Sequence, residues 1–310
     1  MHPIGIRELT IGSGALDELV PTILRLVPAG TDVVVRVDGT PMRRADRDLK
    51  LLVRSLLEVQ FPVHVEVLGR DRRELHADEA ASEEADRAIL GAGCVVTVGS
   101  GTITDLGKDA TYRAGGTPFI VVQTAVSVNA FSDDMAVLLR NGVKRTMPSR
   151  WPDALIVDLE TIADAPPDMN RAGFGELISL FTAPADWYLA SVLGMGDPYD
   201  ARVIHLFRAR GERLLASAAG VAGHRPEALA DLAGLMTVTG IAMGVAGRTA
   251  PLSGMEHTVS HMLDMAAERD GRPLAFHGAQ VGVAAAVVAI VWSQFLDRFD
   301  YKKRIKHAII

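Results

Sequence analysis

Short apolar runs alternate with longer amphipathic stretches through the first half of the chain. The apolar runs are rich in β-branched residues and predict four strands, at residues 32–37, 62–68, 94–98 and 119–122. The stretches after the first three runs have helical composition, at residues 45–60, 78–90 and 103–113. Nearly all-apolar strands that alternate with helices are typical of a parallel α/β sheet, which binds ligands at the carboxyl ends of its strands.

The second half of the chain has a different pattern. An Asn141-Gly142 pair between two extended runs predicts a hairpin at 137–145, and one more strand is predicted at 155–158. After Ala165-Pro166-Pro167 the remaining patterned segments are helical in composition, at residues 171–193, 200–218, 226–247, 254–268 and 278–296. We therefore expect two domains, a Rossmann-like α/β domain at 1–165 and an all-α domain at 166–310.

Composition narrows the class of protein. The chain has 310 residues, a formal net charge of −6 and a single cysteine, Cys94, so a disulfide scaffold is excluded and a reducing cytoplasm is expected. The acidic surplus argues against a nucleic-acid partner. The longest apolar run, 281–292, is shorter than the roughly 20 residues that cross a bilayer, so we expect no membrane partner. The N-terminus also lacks the pattern of a signal peptide.

A predicted strand, a turn of small residues and the start of a helix follow one another in the first half. The turn consists of Gly99, Ser100, Gly101 and Thr102. Glycines let a phosphate approach the backbone, and a helix N-terminus offers it free N–H groups. Thr104 stands where the third glycine of the dinucleotide-binding fingerprint would be. The turn alone leaves phosphate binding and a plain strand–helix connection open.

Asp38 ends the first strong strand. A carboxylate at this position can bind both ribose hydroxyls of a nucleotide, which favours NAD. Arg43 and Arg44 lie close by in sequence and could instead hold the 2′-phosphate of NADP. Since Asp38 precedes Gly39, an ordinary turn is a further alternative, and the choice between NAD and NADP stays open.

Three of the nine histidines lie close together in the helical half. His257 and His261 are four residues apart and share a helix face, and His277 begins the next predicted helix. Two imidazoles and one carboxylate make a three-ligand site with a position open for substrate, the pattern of catalytic zinc. Glu176 is the candidate carboxylate, because an acid among small and apolar residues is costly unless it is paired or metal-bound. Without a third ligand, ordinary helix-surface histidines are the simpler interpretation.

With the glycine turn and the candidate metal ligands combined, the sequence resembles the sn-glycerol-1-phosphate dehydrogenase branch of a superfamily. That superfamily contains glycerol dehydrogenases, iron-type alcohol dehydrogenases and dehydroquinate synthases. The resemblance rests on short stretches at 99–105, 124–129, 141–146, 165–169, 172–187, 253–261 and 277–282. It implies a dehydroquinate synthase-like fold and a metal-dependent, NAD(P)-linked reaction of a small, phosphorylated polyol or ketone. The sequence does not separate a monomer from a homodimer.

The resemblance also implies roles for individual residues. Taken with Asp38, the candidate cofactor-binding residues are Gly99, Ser100, Gly101, Thr102, Asp105, Thr124 and Ser127. Glu176, His257 and His277 match the ligands of one divalent metal, most often Zn²⁺ and in some members Fe²⁺ or Ni²⁺. Asn129 matches a substrate-contacting position, and His261 would orient the substrate or relay its proton.

Three residues depart from that pattern. Dehydrogenases of the branch carry Asp in place of Glu176 and of Asn129, and often carry Lys in place of Leu180. The chain also ends 33 residues after His277, where relatives usually continue with further helices. These departures leave the metal site plausible and alter the expected polyol pocket.

Two other functions remain open at this point. Glu is the metal ligand of dehydroquinate synthases, so Glu176 favours a cyclase or lyase of that kind, whereas Ser179 stands where that family has a Lys. Asn129 and the short C-terminus favour a nucleotide-binding homologue with a lapsed active site.

Overall fold

The protein is described here by a computed structural model that covers residues 1–72 and 75–298. The strands are β1 Glu8–Gly12, β2 Val33–Asp38, β3 Arg43–Arg44, β4 Arg47–Asp48, β5 Val63–Leu68, β6 Cys94–Gly99, β7 Phe119–Gln123, β8 Met135–Arg140, β9 Val143–Pro148 and β10 Ala154–Asp158. The helices are α1 Leu19–Leu26, α2 Leu49–Leu57, α3 Glu79–Ala88, α4 Gly101–Arg113, α5 Leu159–Asp164, α6 Pro167–Ile178, α7 Ala183–Val192, α8 Ala201–His205, α9 Arg208–Gly211, α10 Leu214–Ala222, α11 Pro226–Ala246, α12 Met255–Arg269 and α13 His277–Arg298. Short 3-10 turns lie at Ala15–Glu18 and Ser179–Phe181.

Six strands form one parallel sheet in the order β1-β10-β7-β6-β2-β5. All four strands predicted for the first half are in it, as is the strand predicted at 155–158, and the predicted α/β fold class is confirmed. Edge strand β1 was not predicted, because half-buried and exposed positions alternate over only five residues. The predicted hairpin is β8–β9, with Asn141 and Gly142 at φ 52° and 71° in its turn.

One helix begins later than expected. The segment predicted to be helical from residue 45 first forms the small β3–β4 hairpin, in which Ala45 has φ 50°. The helix then starts at Leu49, where the Asp48 carboxylate accepts hydrogen bonds from the N–H groups of Lys50 and Leu51 at 2.9 and 3.0 Å. Asp48 is an N-cap, and this capping residue sets the boundary that composition placed four residues too early.

Two apolar cores cover the two faces of the sheet. One contains the side chains of Val35, Val96 and Ile156 together with the first helices of the chain. The other contains Val121 and Leu155 of the sheet and continues through the helical half of the chain. One face of the sheet therefore packs against the helical half of the chain. The predicted domain boundary, at 165/166, falls between α5 and α6 and stays a prediction.

Helices α6 and α13 pack backbone to backbone through glycines. A Cβ atom at Gly278 would lie 2.0 Å from the carbonyl oxygen of Ala172, and one at Gly282 would lie 2.8 Å from the Cα atom of Gly175. A Cβ atom at Gly175 would in turn lie 2.2 Å from the carbonyl oxygen of Gly278. No side chain fits at these positions, so the glycines set the distance between the two helices.

Within the described residues, two helices are long and apolar enough to cross a bilayer, α11 and α13. The apolar run at 281–292, expected to be too short, is thus part of a longer helix. Core helices of water-soluble proteins meet the same two criteria, and 67% of the most apolar window of α11 is buried. The corresponding window of α13 is 22% buried, and Val283, Val287 and Ile290 lie on its exposed face.

Candidate active site

A cavity of about 1020 Å³ opens at the carboxyl ends of the sheet strands. Of the candidate cofactor-binding residues, those that line it are Asp38, Ser100, Gly101, Thr102, Thr124 and Ser127. Gly99 and Asp105 are buried and do not line it. At its other end the cavity is lined by Phe276 and His277. One cavity therefore joins the glycine turn to the histidine cluster.

The glycine turn connects β6 to α4. Ser100 is the N-cap residue, with extended φ and ψ of −83° and −175°, and its side chain makes no capping hydrogen bond. The first N–H groups of α4 are therefore free of a side-chain cap at a helix end that borders the cavity. This is the arrangement that binds a phosphate at a helix N-terminus.

The part of the cavity that Asp38 lines carries charges of both signs. Asp38 accepts a hydrogen bond from the N–H of Thr40 at 2.9 Å, and Lys50 donates to the Asp38 carbonyl at 2.5 Å. Arg43 and Arg70 line the same end. A carboxylate suits the ribose hydroxyls of NAD and the arginines suit the 2′-phosphate of NADP, so the cavity has groups for either cofactor.

Asp105 lies beneath the turn in a buried ionic cluster. The Nζ atom of Lys108 is 3.2 Å from Asp105 and 2.6 Å from Asp133, and it donates to the carbonyl of Ala130 at 2.7 Å. Burial, opposed by Lys108, raises the pKa of Asp105 to about 7. The cluster ties α4 to the loop that carries Asn129, which is itself 7% exposed.

Three candidate ligands that are far apart in sequence meet where His277 lines the cavity. Glu176 comes from α6, His257 from α12 and His277 from the first position of α13. One donor atom of each lies within 4.8 Å of the others. The Nε2 atoms of His257 and His277 are 3.4 and 3.7 Å from the Glu176 oxygens. The glycine contacts between α6 and α13 place Glu176 beside His277.

The electrostatics of this cluster fit a divalent cation. Glu176 is 2% exposed, and its Oε2 atom is buried without a hydrogen-bond partner. Burial opposes ionisation of Glu176, but His277 and His257 outweigh it and lower the pKa of this carboxyl group. Burial likewise opposes protonation of His257, whereas Glu176 and Glu256 raise its pKa to about 9. A buried carboxylate with an unpaired oxygen between two imidazoles matches the donor set of a zinc site.

The second nitrogen of each histidine has a buried partner that sequence reasoning missed. The Nδ1 atom of His257 is 3.0 Å from Oε1 of Glu256, and that of His277 is 2.9 Å from Oγ of Ser260. Both partners are 0% exposed. Glu256 directly precedes the predicted ligand His257. An acidic residue next to a candidate ligand is a signal from which sequence analysis could have predicted this hydrogen-bond partner.

His261 and Leu180 lie near the metal cluster without being part of it. The ring of His261 stacks on that of His277 with centroids 5.5 Å apart. Burial, with smaller contributions from His277 and Lys144, lowers the pKa of His261 to about 4, so its imidazole is neutral at physiological pH. Leu180, at the position where the resembling dehydrogenases often have Lys, is 8% exposed and belongs to the apolar core.

Comparison with known proteins fits this geometry. Residues 10–166 match the family described as iron-containing alcohol dehydrogenase. The glycerol-1-phosphate dehydrogenase (NAD(P)+) of Bacillus velezensis is 30% identical, over 94% of this chain and 73% of its own length. The chain belongs to the iron-containing alcohol dehydrogenase family. The glycerol-1-phosphate dehydrogenase (NAD(P)+) of Bacillus licheniformis, a further relative, is 29% identical over 95% of this chain and 72% of its own length.

Two solved structures have the same fold. A probable glycerol dehydrogenase from Sinorhizobium meliloti superposes with a TM-score of 0.71 at 20% identity, over 92% of this chain and 77% of its own. A sulfoacetaldehyde reductase from Bifidobacterium kashiwanohense, solved in complex with NAD+, superposes with a TM-score of 0.68 at 16% identity. That match covers 94% of this chain and 76% of the reductase. Identities this low establish the fold and leave the substrate to the residues of the site.

Proposed function

We propose that this protein is a metal-dependent, NAD(P)-linked dehydrogenase of a small phosphorylated polyol or ketone, of the glycerol-1-phosphate dehydrogenase kind. One observation carries the proposal: the cavity that borders the glycine turn at Gly101 also borders the metal-ligand candidate His277. A dinucleotide bound at the turn would extend along Thr124 and Ser127 towards the histidines. The names of the relatives from Bacillus support the same reaction class.

Glu176, His257 and His277 would hold one divalent ion. Two imidazoles and a carboxylate suit Zn²⁺, which we propose as the resident metal, and imidazole also suits Fe²⁺ and Ni²⁺. The ion would supply Lewis acidity at the substrate oxygen, and the nicotinamide would carry the hydride.

The remaining chemistry belongs to side chains of this chain. His261 is neutral and stacked beside His277, so it can accept the proton of a substrate hydroxyl or return it to a carbonyl oxygen. Lys144, on β9, pairs with Asp264 of the histidine-bearing helix α12, and its charge lowers the pKa of both His261 and His277. We assign it to the substrate phosphate. Cys94 is fully buried, in keeping with an enzyme of the reducing cytoplasm.

The test is an assay of reconstituted protein. Metal-free protein is loaded with Zn²⁺, Fe²⁺ or Ni²⁺, and oxidation of NADH and NADPH is followed with dihydroxyacetone phosphate. We expect turnover with at least one metal, its loss in His277→Ala, and its retention in the control His205→Ala, which alters an exposed histidine. Bound NAD without net NADH turnover would favour the cyclase alternative, and a failure to retain any metal would favour a lapsed site.

A further inference from the structure

A chain of hydrogen bonds leads away from the Nδ1 atom of His277. It begins at Ser260, whose hydroxyl lies 2.9 Å from Nδ1 and donates to Oε1 of Gln280 at 2.6 Å. Gln280 then donates from Nε2 to Oδ1 of Asp264 at 3.0 Å. The other oxygen of Asp264 pairs with the ammonium group of Lys144. The four side chains join α12, α13 and strand β9.

Each member of the chain fixes the direction of the next hydrogen bond. An ionised Asp264 can only accept, so it holds the amide nitrogen of Gln280 towards itself and turns the amide oxygen towards Ser260. Because Ser260 gives its proton to that oxygen, its own oxygen is left to accept from His277. The proton of the neutral His277 ring is therefore on Nδ1, and the lone pair on Nε2 faces Glu176, 3.7 Å away.

We propose that Ser260 and Gln280 are positioning residues for the metal ligand His277, holding its ring in the Nδ1–H tautomer. This inference rests on the metal centre of the proposed function. Metal-bound histidines generally donate their second N–H to a partner, and removal of that partner typically weakens metal binding about 10–100-fold. His257 has a carboxylate partner in Glu256, whereas His277 has a neutral hydroxyl whose orientation depends on two further residues.

The experiment measures zinc affinity of the full chain by competition with a chromophoric chelator, using metal-free protein. We expect Ser260→Ala and Gln280→Met each to raise the zinc dissociation constant about 10–100-fold. Thr237→Val is the matched control, because that buried hydroxyl donates only to the carbonyl of Ala233. Histidine labelled with ¹⁵N gives a second readout, in which His277 changes from one tautomer to a mixture in both variants.

Gln280 is only partly buried, so its variant answers the question even where Ser260→Ala fails to fold. A folded Gln280→Met protein with unchanged zinc affinity would overturn the positioning role while leaving the metal centre in place. Weakened binding without a change of the His277 tautomer would also overturn it. Wild-type protein that binds no divalent ion would overturn both this inference and the metal centre of the proposed function.

Discussion

The Nδ1 atom of His257 lies 3.0 Å from Oε1 of Glu256, the residue immediately before it in the chain. The hydroxyl of Thr182 and the N–H of Gly254 also donate to this carboxylate, at 2.9 and 2.7 Å. Glu256 is thus held from three sides and in turn orients the His257 ring, so that Nε2 faces Glu176.

Glu256→Gln should weaken metal binding. The amide has no negative charge with which to strengthen the N–H donation of His257, so we expect about a 10–100-fold rise in the zinc dissociation constant. Calorimetric titration of metal-free protein measures it. Glu212→Gln, at an exposed acid, is the control. Equal affinities in the two variants would show that Glu256 does not support the ligand.

Gly278→Ala should separate α6 from α13. The new Cβ atom would lie 2.0 Å from the carbonyl oxygen of Ala172, so the helices must shift. We expect a loss of about 1–3 kcal/mol in the free energy of unfolding, as for other overpacked sites, together with weaker zinc binding. Urea denaturation measures the free energy of unfolding. Gly12→Ala is the control, because no atom lies within 4 Å of a Cβ there; matching midpoints would refute the prediction.

Asp105→Asn should change how stability depends on pH. In the folded protein burial raises the pKa of Asp105 to about 7 from its ordinary value of 3.8, so between these values the folded state binds a proton that the unfolded state does not. The free energy of unfolding of the wild type should therefore fall as pH rises from 4 to 7. The variant lacks this contribution, and urea midpoints measured at several pH values should fall less steeply. Parallel curves would contradict the assignment.

Gly101→Val should weaken dinucleotide binding at least about tenfold, since a side chain would fill the space in which the backbone approaches a phosphate. The added Cβ atom would also lie 2.7 Å from Cγ2 of Val128. Quenching of protein fluorescence by NADH measures the affinity. Zinc affinity is the internal control and should not change. An unaltered dissociation constant for NADH in the folded variant would remove the turn from the cofactor site.

Cys94 should be unreactive in the native protein. Its side chain is 0% exposed on β6, and burial raises the pKa of the thiol to about 12. We expect iodoacetamide at pH 8 to label the protein only after unfolding in urea, as mass spectrometry can follow. Labelling of the native state would mean that β6 opens locally.

The elements that the sequence predicted well are those with a local cause. Fully buried strands such as β6 and β7 consist almost entirely of β-branched and apolar residues, and the β8–β9 turn contains an Asn-Gly pair. The start of α2 was missed because the cap at Asp48, and not composition, determines it. The 200–218 segment, predicted as one helix, is divided among α8, α9 and α10.

The candidate metal site depends on contacts that no local pattern contains. His257 and His261 share a helix face, which the sequence shows. His277 lies beside Glu176 because α6 packs on α13, and these two helices are about a hundred residues apart in sequence. Glu176 was proposed from its small and apolar sequence neighbours, and the resemblance to a family assigned it the same role. Ser260 and Gln280 were not found, since a serine and a glutamine gain significance only when His277 lies beside them.

The glycine contacts between α6 and α13 make the spacing of Glu176 and His277 a property of the main chain. At these glycines, main-chain atoms and not side chains of variable size form the contact between the two helices. Neighbouring apolar residues can therefore exchange for larger or smaller ones over evolutionary time without moving the two ligands apart. A lineage that keeps these few glycines can diversify the substrate pocket around a fixed pair of donors.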